Sequence, residues 1–480
     1  MKKRFVFITA RRKELRGGNM KKRRLMLCSL VSLIMVFVMA VPMTVSADTV
    51  TDAGDATALA NAITAAKDGE TIKLTAPITA SITIPNGKNI TLDLNGQTLT
   101  NEAGKDTITN EGTLTIKGDG TVDNVTHARG ALVNKGTATI NGGTFTRSKE
   151  ASKSPKDHGG NSWYVIYNQG TLTVNDGTVT NNSKFSSLVR NDGTMNINGG
   201  TFTNIFNTIK NDATGTMIIS AGTITSGDQA VQNWHNLDVT GGTFNGDVDT
   251  WSYDGDGEKC AGTTSINGNA VIDGDVAAIR YGDATTSIPR VEINGGTVKG
   301  TVQKGEYGAA YVVVAPSAPS SVITVSGGTF AKKPESAFIA QGRIAIEYVQ
   351  GGNDGRYYVG TNDEIQKIVD NAKSGDTIDV IHGNAHLTLT KPGVTIGNKG
   401  AEEVVVNDQE LANGTTTVIK EVDPTKPSQD QTQKPSDTAK ADKSAKTGDD
   451  FNLFAVGGVA LAAIIAMAAV AITGRRHRQR

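Results

Sequence analysis

The chain has 480 residues, of which 55 are Gly and 12 Pro, and its formal net charge is zero, with 48 Lys/Arg against 48 Asp/Glu. The glycines follow no three-residue period, which excludes collagen, and the Thr, Val, Ile and Asn between them suit strands and turns better than helices. The zero hides a segregation: residues 1–47 carry +10, the last six residues carry +4, and the body between is left at −14, an acidic surface that argues against DNA or RNA as partner.

Lys21-Lys22-Arg23-Arg24 precedes an apolar run from Leu25 to Ala40, and Val45-Ser46-Ala47 follows before Asp48. That order of basic, apolar and small residues predicts a secretory signal peptide over 1–47, cleaved after Ala47. Met20 is the expected start, since Met1 to Asn19 reads as upstream sequence. Of the two cysteines, Cys28 lies in the leader and Cys260 remains alone, so no intramolecular disulfide is possible and a fortuitous thiol is the favoured reading.

Residues 55–75, "DATALANAITAAKDGETIKLT", place Leu59, Ile63 and Ala66 on one helical stripe, and Lys67-Asp68-Gly69 ends it. A short phrase then recurs: "GTATINGGTFTRS" from Gly136, "GTLTVNDGTVTNN" from Gly170, "GTMNINGGTFTN" from Gly193 and "GTMIISAGTITS" from Gly215. Its last apolar residue gives the row Leu99, Val122, Phe145, Val179, Phe202, Ile224, Phe244, Val271, Val298 and Phe330, with steps of 23, 23, 34, 23, 22, 20, 27, 27 and 32. A period near 22 with occasional insertions predicts a solenoid. Within a unit the apolar residues alternate, as Leu172 and Val174 do against Thr171 and Thr173, which predicts strands with one buried face. A second row in the same phase is Asn110, Asn134, Asn168, Asn191, Asn211 and Asn233. Stacked about 4.8 Å apart, these amides would form a hydrogen-bonded ladder; the simpler reading is that Asn favours turns.

These features resemble a right-handed parallel β-helix of the pectate-lyase-like kind, an all-β fold, over roughly residues 50–350. The helix at 55–75 resembles the N-terminal cap of pectate-lyase-like adhesive domains, which places the β-helix at 48–350. "AKDGETIKL" returns as "AKSGDTIDV" within 363–381, so 361–422 is read as a second, truncated module or a C-terminal cap.

Residues 423–447 are rich in Pro, Ser, Thr, Lys and Asp, a composition for an extended, disordered spacer. In 448–480, Leu453 to Ile472 is an uncharged apolar run of 20 residues followed by Arg475, Arg476, Arg478 and Arg480, the pattern of a transmembrane helix with a cytoplasmic basic tail. Spacer, the motif Ser444-Ala445-Lys446-Thr447-Gly448-Asp449, span and tail resemble the sorting signal of Gram-positive surface proteins. That resemblance implies sortase cleavage between Thr447 and Gly448 and linkage to peptidoglycan, hence a secreted protein held at the cell wall or plasma membrane. Ser444 and Ala445 stand where the family has Leu and Pro, and simple tethering by the membrane helix is the alternative.

Pectate lyases gather Asp/Glu around calcium beside a proton-abstracting Arg. Arg129, Arg190 and Arg280 lie near strand ends, with no Asp read in phase beside them on adjacent coils. The outward row Thr109, Val133, Tyr167, Arg190, Lys210 and Gln232 reads as a mixed surface. Asp273 and Asp275 are the nearest thing to the paired carboxylates of a glycosidase. Asp254, Asp256 and Glu258 alternate as calcium ligands do, yet without an EF-hand loop they read as an acidic exposed loop. The expectation is therefore no catalytic residue, no metal and no cofactor. All three Trp fall near the two longest interruptions, 147–163 and 245–264. Trp163, Tyr164, Trp234, Trp251 and Tyr253 are the candidate ligand-binding residues, as an exposed platform for a glycan or protein, with local loop packing as the other reading. An adhesin-like binder is preferred to a wall-attached polysaccharide lyase or hydrolase and to a passive stalk.

Overall fold

The computed structural model describes residues 49–419, apart from 149–162, 182–185, 256–257, 282–285, 308–311, 315–321 and 354. Ala47, Thr447, Gly448, the spacer and the apolar run Leu453–Ile472 lie outside the described residues. Among the described residues no helix is long and apolar enough to cross a membrane.

The repeated phrase folds as anticipated into parallel strands that pair with their counterparts one repeat away. Each turn of chain contributes to three ladders. The first is represented by Thr113–Lys117, the second by Thr121–Asp123 and the third by Leu132–Asn134. Where a repeat is unbroken, one strand such as Thr137–Thr146 serves two ladders, bending at Asn141-Gly142-Gly143. Gly143 holds φ +85° there, which only Gly adopts without strain. That is the physical reason for the recurrent Asn-Gly-Gly.

In the second ladder the apolar row stacks as read: Leu99 opposite Val122, then Phe145, Val179, Phe202, Ile224 and Phe244 in succession. The next member is Ile272, not Val271: Phe244 faces Ile272, and Ile272 faces Val298, which faces Phe330. Val271 takes the outward place that Thr243 and Thr297 hold on either side. The two adjacent apolar residues both satisfy the pattern, and the inward pleat selects the second. The first ladder buries a parallel row of Leu114, Ala138, Leu172, Met195, Met217 and Leu237. Burial of the Leu and Met side chains supplies about 2 kcal/mol each, and the row belongs to one continuous core.

Helix α1, Ala56–Ala65, closes the amino end, with Asp55 accepting from the Ala58 amide at 2.8 Å. Leu59, Ala62 and Ile63 are buried against the first coils, and Ala66, just beyond, is buried too. At the far end, Arg356–Gly360 runs antiparallel to the last long strand, Val322–Phe330. Ile344–Val349 then joins Arg356–Gly360 to Thr377–His382, again antiparallel. Helix α2, Asn362–Asn371, starts with a capping box between Thr361 and Glu364. Beyond it, Thr377–His382 pairs with Thr395–Asn398 and Asn384–Leu387 with Glu403–Val406, both parallel. Ile365, Val369, Ile378, Ile396 and Val404 belong to a core of their own. Residues 361–419 are thus two solenoid rungs under their own helix, closed by the antiparallel strands Gln409–Glu410 and Thr416–Val418.

Candidate ligand-binding surface

The third ladder carries the candidate residues, and its inner side fixes the register. Asn110, Asn134, Asn168, Asn191, Asn211 and Asn233 are all 0% exposed. Each Nδ2 donates to the next Oδ1, at 2.7 Å for the first four steps and 2.8 Å from Asn211 to Asn233. The ladder ends where Asn233 donates to Thr264 Oγ1 at 2.9 Å. It begins at Asn110, whose Oδ1 has no hydrogen-bond partner, because Ile84 fills the corresponding place in the preceding coil.

With the asparagines turned inward, the residue before each faces out. Thr109, Val133, Tyr167, Arg190, Lys210 and Gln232 lie opposite one another in sequence, and the row continues to Asp249, which like Val133 is covered from solvent. From Tyr167 onward this row and its neighbours form a continuous ribbon. The Tyr167 hydroxyl donates to Asp192 Oδ2 at 2.7 Å. Arg190 donates through Nε to Asp192 Oδ1 at 2.7 Å and its Nη2 lies 3.1 Å from Asp212 Oδ2. Lys210 Nζ reaches the same Asp212 oxygen at 2.9 Å. The Arg190 guanidinium lies 5.1 Å from the Tyr167 ring centre and 5.7 Å from that of Tyr164, and Lys210 Nζ lies 6.0 Å from that of Trp234, within cation–π range.

Aromatic contacts extend the ribbon at both ends. Trp163 lies 5.7 Å from Tyr164, and Tyr164 lies 5.9 Å from Tyr167. Trp234 stacks on Trp251 at 5.3 Å, and Tyr281 meets Trp234 at 6.2 Å, Trp251 at 6.4 Å and Tyr253 at 5.5 Å. Burial and the bond to Asp192 push the Tyr167 hydroxyl up to about 12. Burial alone would raise Asp212, but Lys210, its own backbone neighbour and Arg190 outweigh it and hold the carboxyl below the usual range. Burial likewise opposes the Arg190 charge, and Asp192 and Asp212 outweigh it.

The anticipated aromatics therefore do gather, but not all in the same role. Trp163, Tyr164, Trp234 and Tyr253 are half-buried, while Trp251 is only 4% exposed. Trp251 is no exposed platform: it packs on Ala277 and Ile279 beneath Trp234, because its strand turns the ring onto small and aliphatic neighbours of the following coil. A second correction concerns charge. Asp192 and Asp212 do fall in phase on adjacent coils beside Arg190. The signal was in the sequence as the dipeptide Asn-Asp, at 191–192 and again at 211–212, each Asp one place after a ladder asparagine. Tyr167, Lys210 and Tyr281 are the other ribbon members not singled out as ligand-binding.

The acidic candidates are otherwise occupied. Asp254 accepts from the Thr286 amide at 2.6 Å and hydroxyl at 2.9 Å, and from Ser287 through amide and hydroxyl at 3.0 and 2.5 Å. Those bonds, from Ser287 first, hold its carboxyl well below the usual range. Asp256 and the side chain of Glu258 lie outside the described residues. Among the described residues no group of three His, Cys, Asp or Glu is arranged to hold a metal. Asp273 pairs with Lys299 at 2.9 Å, while Asp275 accepts from the Thr301 amide at 2.6 Å and Gln303 at 3.0 Å, so the two do not face one bond. Arg129 donates through Nε to the Gly104 carbonyl at 2.9 Å. A buried carboxyl went unread in the sequence: Asp249, 5% exposed, accepts from Gln229 Nε2 at 2.6 Å. Burial, and after it the like charges of Asp247, Asp228 and Asp275, push Asp249 well above the carboxylate range against the opposing bond from Gln229. Burial also raises the Cys260 thiol, which suits an inert cysteine.

No protein-family model, no curated protein and no solved structure matches this chain.

Proposed function

We propose that this chain is an adhesin-like β-helix protein of the pectate-lyase-like kind, displayed on the outside of a Gram-positive cell, that binds an extracellular glycan or protein without turning it over. The observation that carries the reading is the unbroken ribbon from Trp163 to Tyr281, in which Tyr167 and the Trp251 strand are four register steps apart. At about 4.8 Å per step that is about 19 Å, a length suited to an extended ligand on a rigid scaffold. In this reading the signal peptide ending at Ala47 exports the chain. Sortase joins Thr447 to peptidoglycan after cleavage before Gly448, and Leu453–Ile472 holds the precursor in the membrane.

A binding screen of the purified full chain against glycans and matrix proteins, run beside a polyuronate cleavage assay, tests the reading. Specific binding lost in a ribbon variant is expected, with no chain cleavage. Turnover of a polysaccharide would favour the lyase or hydrolase alternative, whose support is the Asp228, Asp247, Asp249 and Asp275 cluster; against it, Asp249 is closed off from solvent at 5% exposure. For attachment, Thr447→Ala should move the protein from wall to membrane or medium. Equal wall retention would favour tethering through the apolar span.

A further inference from the structure

Resting on the ribbon reading above, we infer that its ligand is an uncharged glycan chain lying along the solenoid axis across Tyr164, Tyr167, Arg190, Lys210 and Trp234. Three features of the surface select that chemistry.

The first is charge. Arg190 and Lys210 would suit a uronate or sulfate if free, but they are matched one for one by Asp192 and Asp212, at 2.7 Å, 3.1 Å and 2.9 Å. The four groups sum to zero. An anionic ligand would have to displace a carboxylate already held by two cations. The same pairs remain 18–31% exposed, so carboxylate edges can accept from sugar hydroxyls and the guanidinium and ammonium can donate to them. Fixed donors and acceptors beside aromatic faces provide for a neutral pyranose, which has a hydroxyl rim and apolar C–H faces.

The second is size. From Tyr167 to the Gln232 position is three register steps, about 14 Å. A strip that long and one or two side chains wide covers on the order of 200 Å², against about 800 Å² on each partner of a stable protein complex. A folded protein is therefore not the occupant. The third is the backbone. The strands here, Ile166–Asn168, Val189–Asn191 and Ile209–Asn211, are each paired on both sides. No free strand edge is available to add an extended peptide.

The test is titration of the purified full chain with neutral β-linked and α-linked oligosaccharides, with uronate and sulfated oligosaccharides, and with an extended-peptide library, each at low and high salt. The expected result is binding of a neutral oligosaccharide that weakens about tenfold in Trp234→Ala and in Tyr164→Ala, as for aromatic anchors elsewhere. It should change by less than about twofold with salt, since screening acts on charged ligands. Arg190→Lys keeps the charge but cannot hold both Asp192 and Asp212. It should also weaken binding while leaving the melting transition in place, which keeps the test decisive if an aromatic variant folds poorly. A charged oligosaccharide or a peptide bound with the same dependence on Trp234 would overturn the neutral-glycan inference and leave the ribbon as the site. A neutral oligosaccharide whose binding ignores all three variants would overturn both, and failure of every neutral oligosaccharide to bind would overturn the inference.

Discussion

Asn191 shows what a single residue does in this fold. Its Nδ2 contacts Asn211 Oδ1 at 2.7 Å, the Gly193 carbonyl at 3.1 Å and the Thr216 carbonyl at 3.2 Å, and its Oδ1 accepts from Asn168 at 2.7 Å. Leucine fills similar space but takes from Asn211 Oδ1 its donor and from Asn168 Nδ2 one of three acceptors, in a site of 0% exposure. Asn191→Leu should therefore lower unfolding free energy by about 3 kcal/mol in a urea titration; an unchanged midpoint would show that the ladder is ornamental. Asp249 behaves oppositely, since burial raises its folded-state pKa. The folded state then holds the proton more tightly than the unfolded chain. Stability is fully present below the ordinary carboxylate value of about 3.9 and falls as pH climbs from there through the raised value. Asp249→Asn should flatten that fall and make the protein more stable at pH 7, as followed by thermal melting across pH; an unaltered slope would assign it to other groups. Trp251→Ala opens a cavity under Trp234 and should cost about 3 kcal/mol, in addition to any effect on binding.

Elements read well wherever one pattern had one solution. Phe145 and Phe202 were legible as core because Thr flanks each on both sides, so a shift by one residue would bury a hydroxyl. Val271-Ile272 was not legible, because either residue can face inward and only pairing with Phe244 decides. Ile272→Asp should consequently unfold the coil while Val271→Asp is tolerated near wild-type melting temperature; the reverse outcome would restore the other register. The ribbon was half legible for a related reason. Aromatic residues announce themselves in a sequence, but whether a ring lies on top or beneath depends on the coil after it. Small Ala277 opposite Asp249, with Ile279 opposite Trp251, draws Trp251 down. Close approach between coils also has a price at glycine: a Cβ on Gly170 would overlap the Gly136 carbonyl oxygen. Gly170→Ala should lower the melting temperature even though Ala is otherwise the milder strand residue, and an unchanged melt would mean that the coils can separate there.

Over the whole molecule, each coil bonds only to the one before and the one after, so stability is distributed along one dimension. The ends matter most. Leu59 of α1 is 0% exposed on the first coils; Leu59→Asp should release amide protection first over Val50–Asp93 and last around Phe202, as measured by hydrogen exchange. Uniform loss of protection would indicate an all-or-none fold. The asparagine ladder adds a direction to this array. At every step the donor belongs to the coil made earlier and the acceptor to the coil made later, from Asn110 to Asn134 through to Asn211 and Asn233. The stack therefore has a plus end, like a growing filament. A stack cut between two ladder coils would expose one unpaired amide hydrogen on its amino-terminal piece, the one that the next asparagine accepts. A coil docked out of register would leave that hydrogen unpaired, so the ladder penalises misalignment at each step.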